Sequence, residues 1–263
     1  MRIRSLLFVP GKEKTLRKIG EFNADSYIID LEDSIELSQK KIALETVVSK
    51  LREVENDDYK IFVRLNKGSF LEEANRIHNI SSTVGFMLPK FEDVREYNAG
   101  NYIWDEHEVI ALVETPKGIV NIENIAKAKW INGLAFGAED YTANVNMENN
   151  DLYLNYPKSK IVTYAKAYSK SVFDTPSFQL SNREMFEKEV KNSVGMGFEG
   201  KMAISPKHLD YINQQFGTGD LDFMKVIVEE YEKMGQAVLM FGGTVYEKMH
   251  IERFKRVLKE NER

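Results

Sequence analysis

The sequence predicts an α/β protein, a TIM (β/α)8 barrel followed by a C-terminal helical tail. Eight short apolar runs recur along residues 5–206, separated by stretches of helix length. Most of the runs are continuously apolar, which is typical of parallel strands buried on both faces. Eight strand–helix units are the number that this barrel requires, and such barrels fold as one domain of roughly 250 residues.

The predicted strands cover, in chain order, residues 5–10, 26–33, 60–66, 85–90, 109–115, 133–140, 171–177 and 200–206. Amphipathic patterns between them predict helices, for example over 39–55, 70–79 and 183–195. A doubly wound open sheet is the alternative fold. It is disfavoured because no G-x-G-x-x-G motif follows an early strand.

The tail is distinguished from the barrel by a change of pattern after residue 218. Residues 222–234 and the region near 252–260 have helical patterns, and the sequence AVLMFGGT lies between them. We therefore predict a barrel domain over residues 1–217 and a C-terminal helical extension over 218–263.

The composition limits the chemistry that this chain can perform. It has 263 residues with 43% hydrophobic and 29% charged residues, a net charge of −5, 4 His and no Cys. Disulfides, a thiolate nucleophile and Cys-based zinc sites are excluded, so carboxylates, Arg and Lys must do most of any catalysis. An acidic chain without a membrane-length apolar run is not expected to bind nucleic acid or a membrane. No targeting segment is recognisable, so a cytoplasmic location is expected.

Charged side chains follow almost every predicted strand. In a parallel barrel the carboxyl ends of all strands share one rim, where active sites are built. Residues distant in sequence should therefore meet there. The candidates are Asp30, Glu32, Asp33, Arg64, Lys90, Glu114, Glu139, Asp140 and Asp174.

Crowded carboxylates indicate a hard divalent cation, because without one they repel and raise each other's pKa. Mg²⁺ is bound through one or two protein carboxylates, with water and substrate oxygens completing the octahedron. Glu114 and Asp140, at the ends of adjacent predicted strands, are the expected metal ligands. Strand parity predicts that Asp30 and Glu32 point inward, holding metal-bound water or orienting Arg64, and that Asp33 turns away.

Several of these residues also have simpler interpretations. A single acid at a strand end is often the N-cap of the next helix. Only one of Glu139 and Asp140 is expected to face the site, and Lys90 fits either a rim function or an exposed lysine. The four histidines lack the spacing of metal ligands and are interpreted as surface residues: His78, His107, His208 and His250.

Seven motif-like segments follow one another along the chain: RSLLFVPG, ADSYIIDLEDSI, VRLN, GFMLPK, ALVETPKGI, LAFGAEDY and GFEGKMAISPKHLDYIN. In this order they resemble the citrate lyase beta subunit-like branch of the HpcH/HpaI aldolase/citrate lyase family. The resemblance extends from Arg4 to about Asn213. One such fragment would be weak evidence, whereas seven in the family's order and spacing are specific.

The resemblance implies a Mg²⁺-dependent carbon–carbon lyase, usually a homotrimer. Such enzymes cleave thioesters such as citryl-CoA, malyl-CoA or citramalyl-CoA into a 2-oxo acid and acetyl-CoA or a relative. It assigns Glu114 and Asp140 to the metal and Arg64 to substrate binding and enolate stabilisation. The remaining residues expected to contact substrate or support the metal are Asp30, Glu32, Asp33, Lys90 and Pro116.

The tail and one barrel motif depart from the family pattern. Glu247, in TVYEKMHIERFKRVL, falls where related lyases often have an acid/base Asp that reaches a neighbour's active site. With Arg64 and Asp30, Glu247 completes the predicted catalytic residues. Ser205, in AISP, replaces the family's His. These departures leave open an aldolase acting on a free 2-oxo acid enolate, or an accessory subunit that binds metal and oxo acid in a larger complex using a carrier-bound thioester.

Overall fold

A closed parallel barrel of eight strands forms the first part of the chain. The structure is a computed structural model that describes residues 2–54, 58–218, 221–235 and 237–261. The barrel strands are β1 (Ser5–Pro10), β2 (Ser26–Asp30), β3 (Lys60–Arg64), β4 (Gly85–Leu88), β5 (Val109–Val113), β6 (Gly133–Phe136), β7 (Ser171–Asp174) and β8 (Gly200–Ala203). They pair in chain order, and β8 closes on β1. The predicted (β/α)8 barrel is confirmed.

The barrel strands begin where the sequence predicts but most end earlier. For example, the strand predicted over 133–140 ends at Phe136, and the strand predicted over 26–33 ends at Asp30. The strands end earlier because the polar residues after each apolar run leave the sheet and form the rim loops or the first turn of the next helix.

Helices surround the barrel, and the predicted helices over 39–55, 70–79 and 183–195 are present. The barrel helices are α1 (Glu13–Leu16), α2 (Lys40–Glu53), α3 (Phe70–His78), α4 (Asn101–Trp104), α5 (Pro116–Val120), α6 (Ile122–Lys127), α7 (Ala138–Val145), α8 (Asp151–Ala167), α9 (Arg183–Met196) and α10 (Leu209–Thr218). Within the described ranges, none of the helices has the length and apolar composition needed to span a membrane.

Local capping positions the helix that follows β5. The Thr115 hydroxyl accepts a hydrogen bond from the Gly118 N–H at 3.1 Å, and Pro116 occupies the first helical position of α5. Pro is favoured there because its fixed φ suits a helix and the N–H it lacks would have no partner in the helix. This abrupt start of α5 leaves Glu114 at the rim, between the strand and the cap.

The barrel interior is apolar. A buried cluster draws side chains from the strands around the barrel and closes it below the rim, so it is a packed core and not a pore. Its members are Leu6, Ile28, Phe62, Met87, Ile110, Leu112, Ala135, Phe173 and Met202. Phe8 is partly buried and packs against this cluster.

Asp174 lies in a buried charged cluster away from the cavity at the rim, which corrects its expected place in the acidic site. Phe173 belongs to the barrel core, so the next residue of the strand points to the helix side of the sheet. One oxygen of Asp174 lies 3.2 Å from Lys158 Nζ and 3.0 Å from Lys201 Nζ and accepts a hydrogen bond from Ser193. The positive charges of Lys158 and Lys201 therefore balance this carboxylate, and the sequence did not indicate these two lysines as its partners.

Two of the four histidines are buried, which corrects their interpretation as surface residues. His107 is 6% exposed, and its Nε2 lies 2.9 Å from Nδ1 of His78. His208 is 5% exposed and stacks on Phe186 with 4.0 Å between ring centroids. Hydrogen bonds with His78 and the Val84 carbonyl therefore account for His107, and ring stacking accounts for the burial of His208.

The chain divides into two compact units, residues 1–213 and 214–263. The boundary lies within α10, a few residues before the predicted one. The second unit contains α11 (Leu221–Met234), the antiparallel strands β9 (Val238–Phe241) and β10 (Thr244–Glu247), and α12 (Lys248–Asn261). Its own buried cluster is Ile227, Val228, Leu239 and Ile251. The two helices were predicted, whereas the hairpin formed by AVLMFGGT and TVYE was not.

Candidate active site

A cavity of about 400 Å³, here called the rim cavity, opens at the carboxyl ends of the barrel strands. Its charged lining residues are Asp30, Asp33, Arg64, Glu114, Glu139 and Asp140. These residues come from the ends of β2, β3, β5 and β6. The predicted convergence of distant carboxylates and one arginine at the rim is therefore present.

Asp30 and Arg64 form a paired unit at the centre of this lining. The register of β2 on β3 places the two residues side by side. Arg64 Nε donates to one carboxylate oxygen of Asp30 at 2.7 Å, and Arg64 Nη2 donates to the other at 2.8 Å. The backbone N–H groups of Glu32 and Ser34 donate to the same two oxygens. Four donors hold this carboxylate in one orientation.

The third nitrogen of Arg64 extends the network to the other acids of the motif. Nη1 lies 3.1 Å from Glu32 Oε2 and 3.5 Å from Asp33 Oδ2, and the guanidinium carbon lies 5.0 Å from the centroid of the Phe8 ring. Asp33 was expected to turn away, but it lines the cavity, because β2 ends at Asp30 and strand parity no longer applies beyond it.

Ion pairing decides the protonation of this network. Burial opposes ionisation of Asp30, but the Arg64 guanidinium and the backbone donors outweigh it and lower the pKa of that carboxyl. Burial raises the pKa of Glu32 against the opposing charges of Arg64 and Lys90. Burial disfavours the cation on Arg64, yet Asp30 and its neighbours raise the pKa of the guanidinium, which stays charged.

Glu114 is the most buried acid of the cavity wall, with 2% of its surface exposed. Its Oε1 accepts a hydrogen bond from the Lys90 backbone N–H at 2.8 Å. Burial, followed by the charge of Glu32 and a smaller contribution from Asp140, raises the pKa of Glu114 to about 8. Gly137 leaves room for this side chain, since a Cβ there would lie 2.5 Å from Glu114 Oε2.

Asp140 and Glu139 lie in the first turn of α7, where the helix dipole favours negative charge. Both line the cavity, although only one was expected to face it. Asp140 is half-buried, whereas Glu139 is exposed and accepts a hydrogen bond from Asn149 Nδ2 at 2.5 Å. Asp140 is therefore the acid that shares the buried part of the wall with Glu114.

The residues present fit a hard divalent cation. Glu114 is a buried carboxylate with a strongly raised pKa, and a cation beside it would favour its charged form. The described part of the chain has no group of three or more acidic or histidine side chains able to hold a metal ion alone. Mg²⁺ is held by one or two carboxylates and takes its other oxygens from water and substrate. Glu114 and Asp140 would be those two.

Four predicted site residues lie elsewhere. Glu32 and Lys90 are not on the cavity wall but form an ion pair behind it, with 2.7 Å between Lys90 Nζ and Glu32 Oε1. Pro116 starts α5 and likewise does not line the cavity. Glu247 belongs to the second unit, where it ends β10, is exposed and donates its backbone N–H to His250 Nδ1 at 3.0 Å. Their predicted roles remain predictions.

Sequence reasoning missed the apolar part of the cavity wall. These lining residues are Phe8, Pro10, Leu112, Pro176, Phe178, Met202 and Ile204. A usable signal existed, because all seven lie in or shortly after predicted strands, namely β1, β5, β7 and β8. Gly137 was also missed, although a glycine at the end of a strand and at the start of the GAED motif indicated a close approach of backbone and side chain.

An α/β barrel with charged residues gathered in a cavity at the carboxyl ends of its strands is an enzyme architecture. Residues 4–206 match the HpcH/HpaI aldolase/citrate lyase family, and the chain belongs to this family. The predicted resemblance is confirmed.

Curated relatives cover nearly the whole chain. It is 28% identical to the citrate lyase subunit beta of Leuconostoc mesenteroides subsp. cremoris, over 97% of this chain and 92% of the relative. It is 24% identical to the mitochondrial citramalyl-CoA lyase of Homo sapiens, over 92% of this chain and 80% of the relative. Both relatives are named as lyases or their subunits, in agreement with the predicted enzyme class.

A solved structure shares the barrel and contains a bound metal. It is the citrate lyase beta subunit of M. tuberculosis complexed with oxaloacetate and magnesium. The identity is 26% and the TM-score 0.68, with 82% of this chain and 97% of that chain covered. That protein therefore binds the metal that the crowded carboxylates of this chain predict, and an oxo acid, the kind of ligand that the family resemblance implies.

Proposed function

We propose that this protein is a Mg²⁺-dependent carbon–carbon lyase that cleaves, or forms, a 3-hydroxyacyl thioester related to citryl-CoA, malyl-CoA or citramalyl-CoA. Its products are a 2-oxo acid and acetyl-CoA or a related thioester. The observation that carries the proposal is that buried Glu114 and half-buried Asp140 line one cavity together with Arg64. The lyase relatives support the reaction class.

Glu114 and Asp140 are the residues that would hold the metal. When bound, Mg²⁺ supplies a Lewis acid that neutralises the carboxylate of the 2-oxo acid and the charge on its oxygen. The pKa of Glu114 is raised in the protein without a bound metal ion, and the positive charge of the metal would favour the ionised carboxylate.

The role proposed for Arg64 follows from the electron flow of the cleavage. Removal of the proton from the 3-hydroxyl group turns that carbon into the carbonyl of the 2-oxo acid and breaks the C2–C3 bond. The electron pair of that bond passes to the thioester, whose oxygen becomes an enolate. Arg64 lines the rim cavity, and a fixed guanidinium beside that oxygen lowers the barrier because the charge develops only in the transition state. Protonation of C2 completes acetyl thioester formation.

Asp30 and Glu247 complete the proposed catalytic set with different tasks. Asp30 accepts four hydrogen bonds and has a lowered pKa. These features suit a carboxylate that orients Arg64, and they do not suit one that exchanges a proton with the substrate. Glu247 is the proposed acid/base residue, supported by its position in the tail motif. Replacement of Glu247 by Gln is expected to lower kcat and leave Mg²⁺ affinity unchanged.

The remaining partners are proposed from the family resemblance. The thioester is carried by CoA or by an acyl carrier, the 2-oxo acid is the second partner, and the expected assembly is a homotrimer in the cytoplasm. Neither a nucleic acid nor a membrane is expected to bind. Sedimentation analysis of the purified chain tests the assembly.

A second candidate is favoured by Ser205 and Glu247, which depart from the family pattern. It is an aldolase acting on a free 2-oxo acid enolate, or an accessory subunit that binds metal and oxo acid. Turnover of citramalyl-CoA and malyl-CoA, compared with aldol reactions of pyruvate or oxaloacetate without CoA, distinguishes these functions.

Two conservative substitutions test the proposed metal ligands. Glu114→Gln and Asp140→Asn keep the side-chain shape but remove the charge, so both should abolish measurable Mg²⁺ binding in calorimetry and thioester cleavage. Glu45→Gln, which removes an exposed acid paired with Arg76 on an outer helix, is the matched control. Unchanged metal affinity in both site variants would overturn the proposal.

A further inference from the structure

Lys90 has an unusual backbone conformation next to the candidate metal ligands. It lies two residues after the end of β4 and has a φ of +49°, in the left-handed region that disfavours residues with a side chain. Its neighbours fix this geometry. Lys67 Nζ donates to the Lys90 carbonyl at 3.0 Å, and the N–H of Phe91 donates to the Leu112 carbonyl at 3.0 Å. A strained backbone persists where its surroundings hold it, often at functional sites.

Each end of Lys90 contacts a different buried carboxylate. The backbone N–H donates to Glu114 Oε1 at 2.8 Å, and the ammonium donates to Glu32 Oε1 at 2.7 Å. The same ammonium lies 3.6 Å from Asp33 Oδ1. Glu114 and Glu32 are 2% and 7% exposed, so little water is available to replace either contact.

The contacts of Lys90 argue against direct substrate binding, the role predicted from sequence. Lys90 does not line the rim cavity, and its ammonium already has two acidic partners. Glu32 in turn lies 3.1 Å from Arg64 Nη1. Lys90 is therefore linked to Glu114 through its backbone and to Arg64 through Glu32.

We propose that Lys90 is a positioning residue that orients Glu114 as a metal ligand and, through Glu32, holds Arg64 in its working orientation. This inference rests on the proposed function, because it assumes that Glu114 holds a divalent cation. Its left-handed backbone aims the N–H at Glu114 while its side chain extends to Glu32, so one residue links the metal-binding and guanidinium parts of the site.

A positioning role and a purely electrostatic role of Lys90 predict opposite changes in cation affinity when its side chain is replaced. Lys90 is a positive charge near the carboxylates, so if charge alone mattered, its removal would tighten the binding of a divalent cation. If Lys90 positions the carboxylates, loss of its ammonium releases Glu32, and the backbone that the ammonium anchors no longer keeps its N–H fixed on Glu114, so cation binding becomes weaker. Loss of such supporting partners typically lowers metal affinity about 10–100-fold.

The experiment measures Mn²⁺ dissociation constants of the full chain by calorimetry. Lys90→Met should weaken Mn²⁺ binding about 10–100-fold, and Lys90→Arg, which keeps a cation, should recover most of the loss. Lys90→Gly removes the ammonium but suits the positive φ, so it provides a folded variant if the Met variant is unstable. Lys117→Met is the matched control, because Lys117 is exposed and pairs with Glu92.

A double-mutant cycle tests whether the ammonium acts through Glu32. In a Glu32→Gln background, Lys90→Met should have a smaller further effect on Mn²⁺ affinity and on kcat than in the unsubstituted chain. Additive effects would overturn that part of the inference.

The outcomes separate this inference from the proposed function. If the unsubstituted chain binds Mn²⁺ and both Lys90→Met and Lys90→Gly bind it equally or more tightly, the positioning role is overturned and the proposed function stands. If the unsubstituted chain binds no Mn²⁺ in the presence of a 2-oxo acid, the proposed function and this inference are both overturned.

Discussion

Arg64 shows how one residue organises the charges of the rim cavity. Two of its nitrogens are occupied by Asp30, which leaves Nη1 directed at Glu32 and Asp33. A lysine could not reproduce this arrangement, because an ammonium is a single point charge without the planar fork of a guanidinium.

Replacement of Arg64 by Lys is therefore expected to impair catalysis more than folding. Loss of one preorganised donor to a developing oxyanion costs about 10²–10³-fold in kcat, so a fall of that size in kcat for thioester cleavage is expected. Steady-state kinetics provide the measurement. Arg4→Lys is the control, since Arg4 makes a similar two-point pair with Asp25 outside the rim cavity. An equal loss in the two variants would contradict a catalytic role.

Asp174 is a second single residue with a large expected effect, in this case on the stability of the fold. It is completely buried between two lysines, and removing its charge would leave Lys158 and Lys201 without this shared counter-ion. Breaking a buried ion pair by removing one partner costs about 3–5 kcal/mol. Asp174→Asn should therefore lower the free energy of unfolding in urea by this order. Asp93→Asn, at an exposed surface pair with Arg95, should have little effect.

The same carboxylate predicts a pH dependence of stability. Burial raises the pKa of Asp174, but Lys201 and Lys158 outweigh it and lower the pKa to about 2. The unfolded chain binds the proton at about pH 3.9, so the stabilisation, about 2 kcal/mol, is complete well above that pH and is lost as the pH falls towards 2. Urea unfolding between pH 5 and pH 2 should show this loss, and Asp174→Asn should lack that contribution.

At the scale of the element, the junction of β6 and α7 leaves space for the Glu114 side chain next to the helical turn that carries Asp140. Gly137 joins the two elements with a φ of −102°, which any residue adopts, so its small size is what matters. The side chain of Glu114 occupies the space that a Cβ at this position would need. The strand, the glycine and the first helical turn together place the two acids on one wall.

Gly137→Ala is expected to displace the Glu114 side chain and weaken Mg²⁺ binding while the barrel stays folded. Calorimetry measures the affinity, and circular dichroism checks the fold. Gly68→Ala is a matched control in the loop after β3, where an added Cβ meets no atom within 4 Å. Equal Mg²⁺ affinity in the two variants would show that the close approach at Gly137 has no role in metal binding.

At the scale of the whole molecule, the barrel gathers acids that its own cations do not fully balance. Five of the six charged residues that line the rim cavity are acids, and Arg64 is the other. The net charge of −5 of the chain does not reveal this concentration. A ligand that binds only the folded protein stabilises it by mass action, so a bound cation should stabilise the whole barrel.

Mg²⁺ should therefore raise the Tm of the unsubstituted chain. At a concentration about 100-fold above the dissociation constant, binding contributes about 2.7 kcal/mol, which corresponds to several degrees for a chain of this size. Differential scanning calorimetry with Mg²⁺ and then with excess chelator measures the shift and its reversal. Glu114→Gln should show no shift, and a shift of equal size in that variant would place the binding site elsewhere.

The prediction of the barrel succeeded because each strand is continuously apolar and begins sharply. Ser5, Ser26 and Gly133, for example, begin strands at the residues predicted. Strand ends were less well predicted, because the predicted ranges included the mostly polar residues that follow each apolar run and form the rim loops or the next helix. Glu114 and Asp140 were predicted as neighbours because parallel topology alone places the carboxyl ends of adjacent strands at one rim.

The sequence by itself determined the fold class, the family and most of the rim acids, because periodicity and motif order can be read along the chain. Only the tertiary structure decided which charged groups pair with one another. Lys90 turned out to contact Glu32 and Glu114, and Asp174 was withdrawn from the rim by Lys158 and Lys201. Such pairings depend on which face of a strand a side chain occupies and on contacts between residues distant in sequence, and neither is encoded in a local pattern.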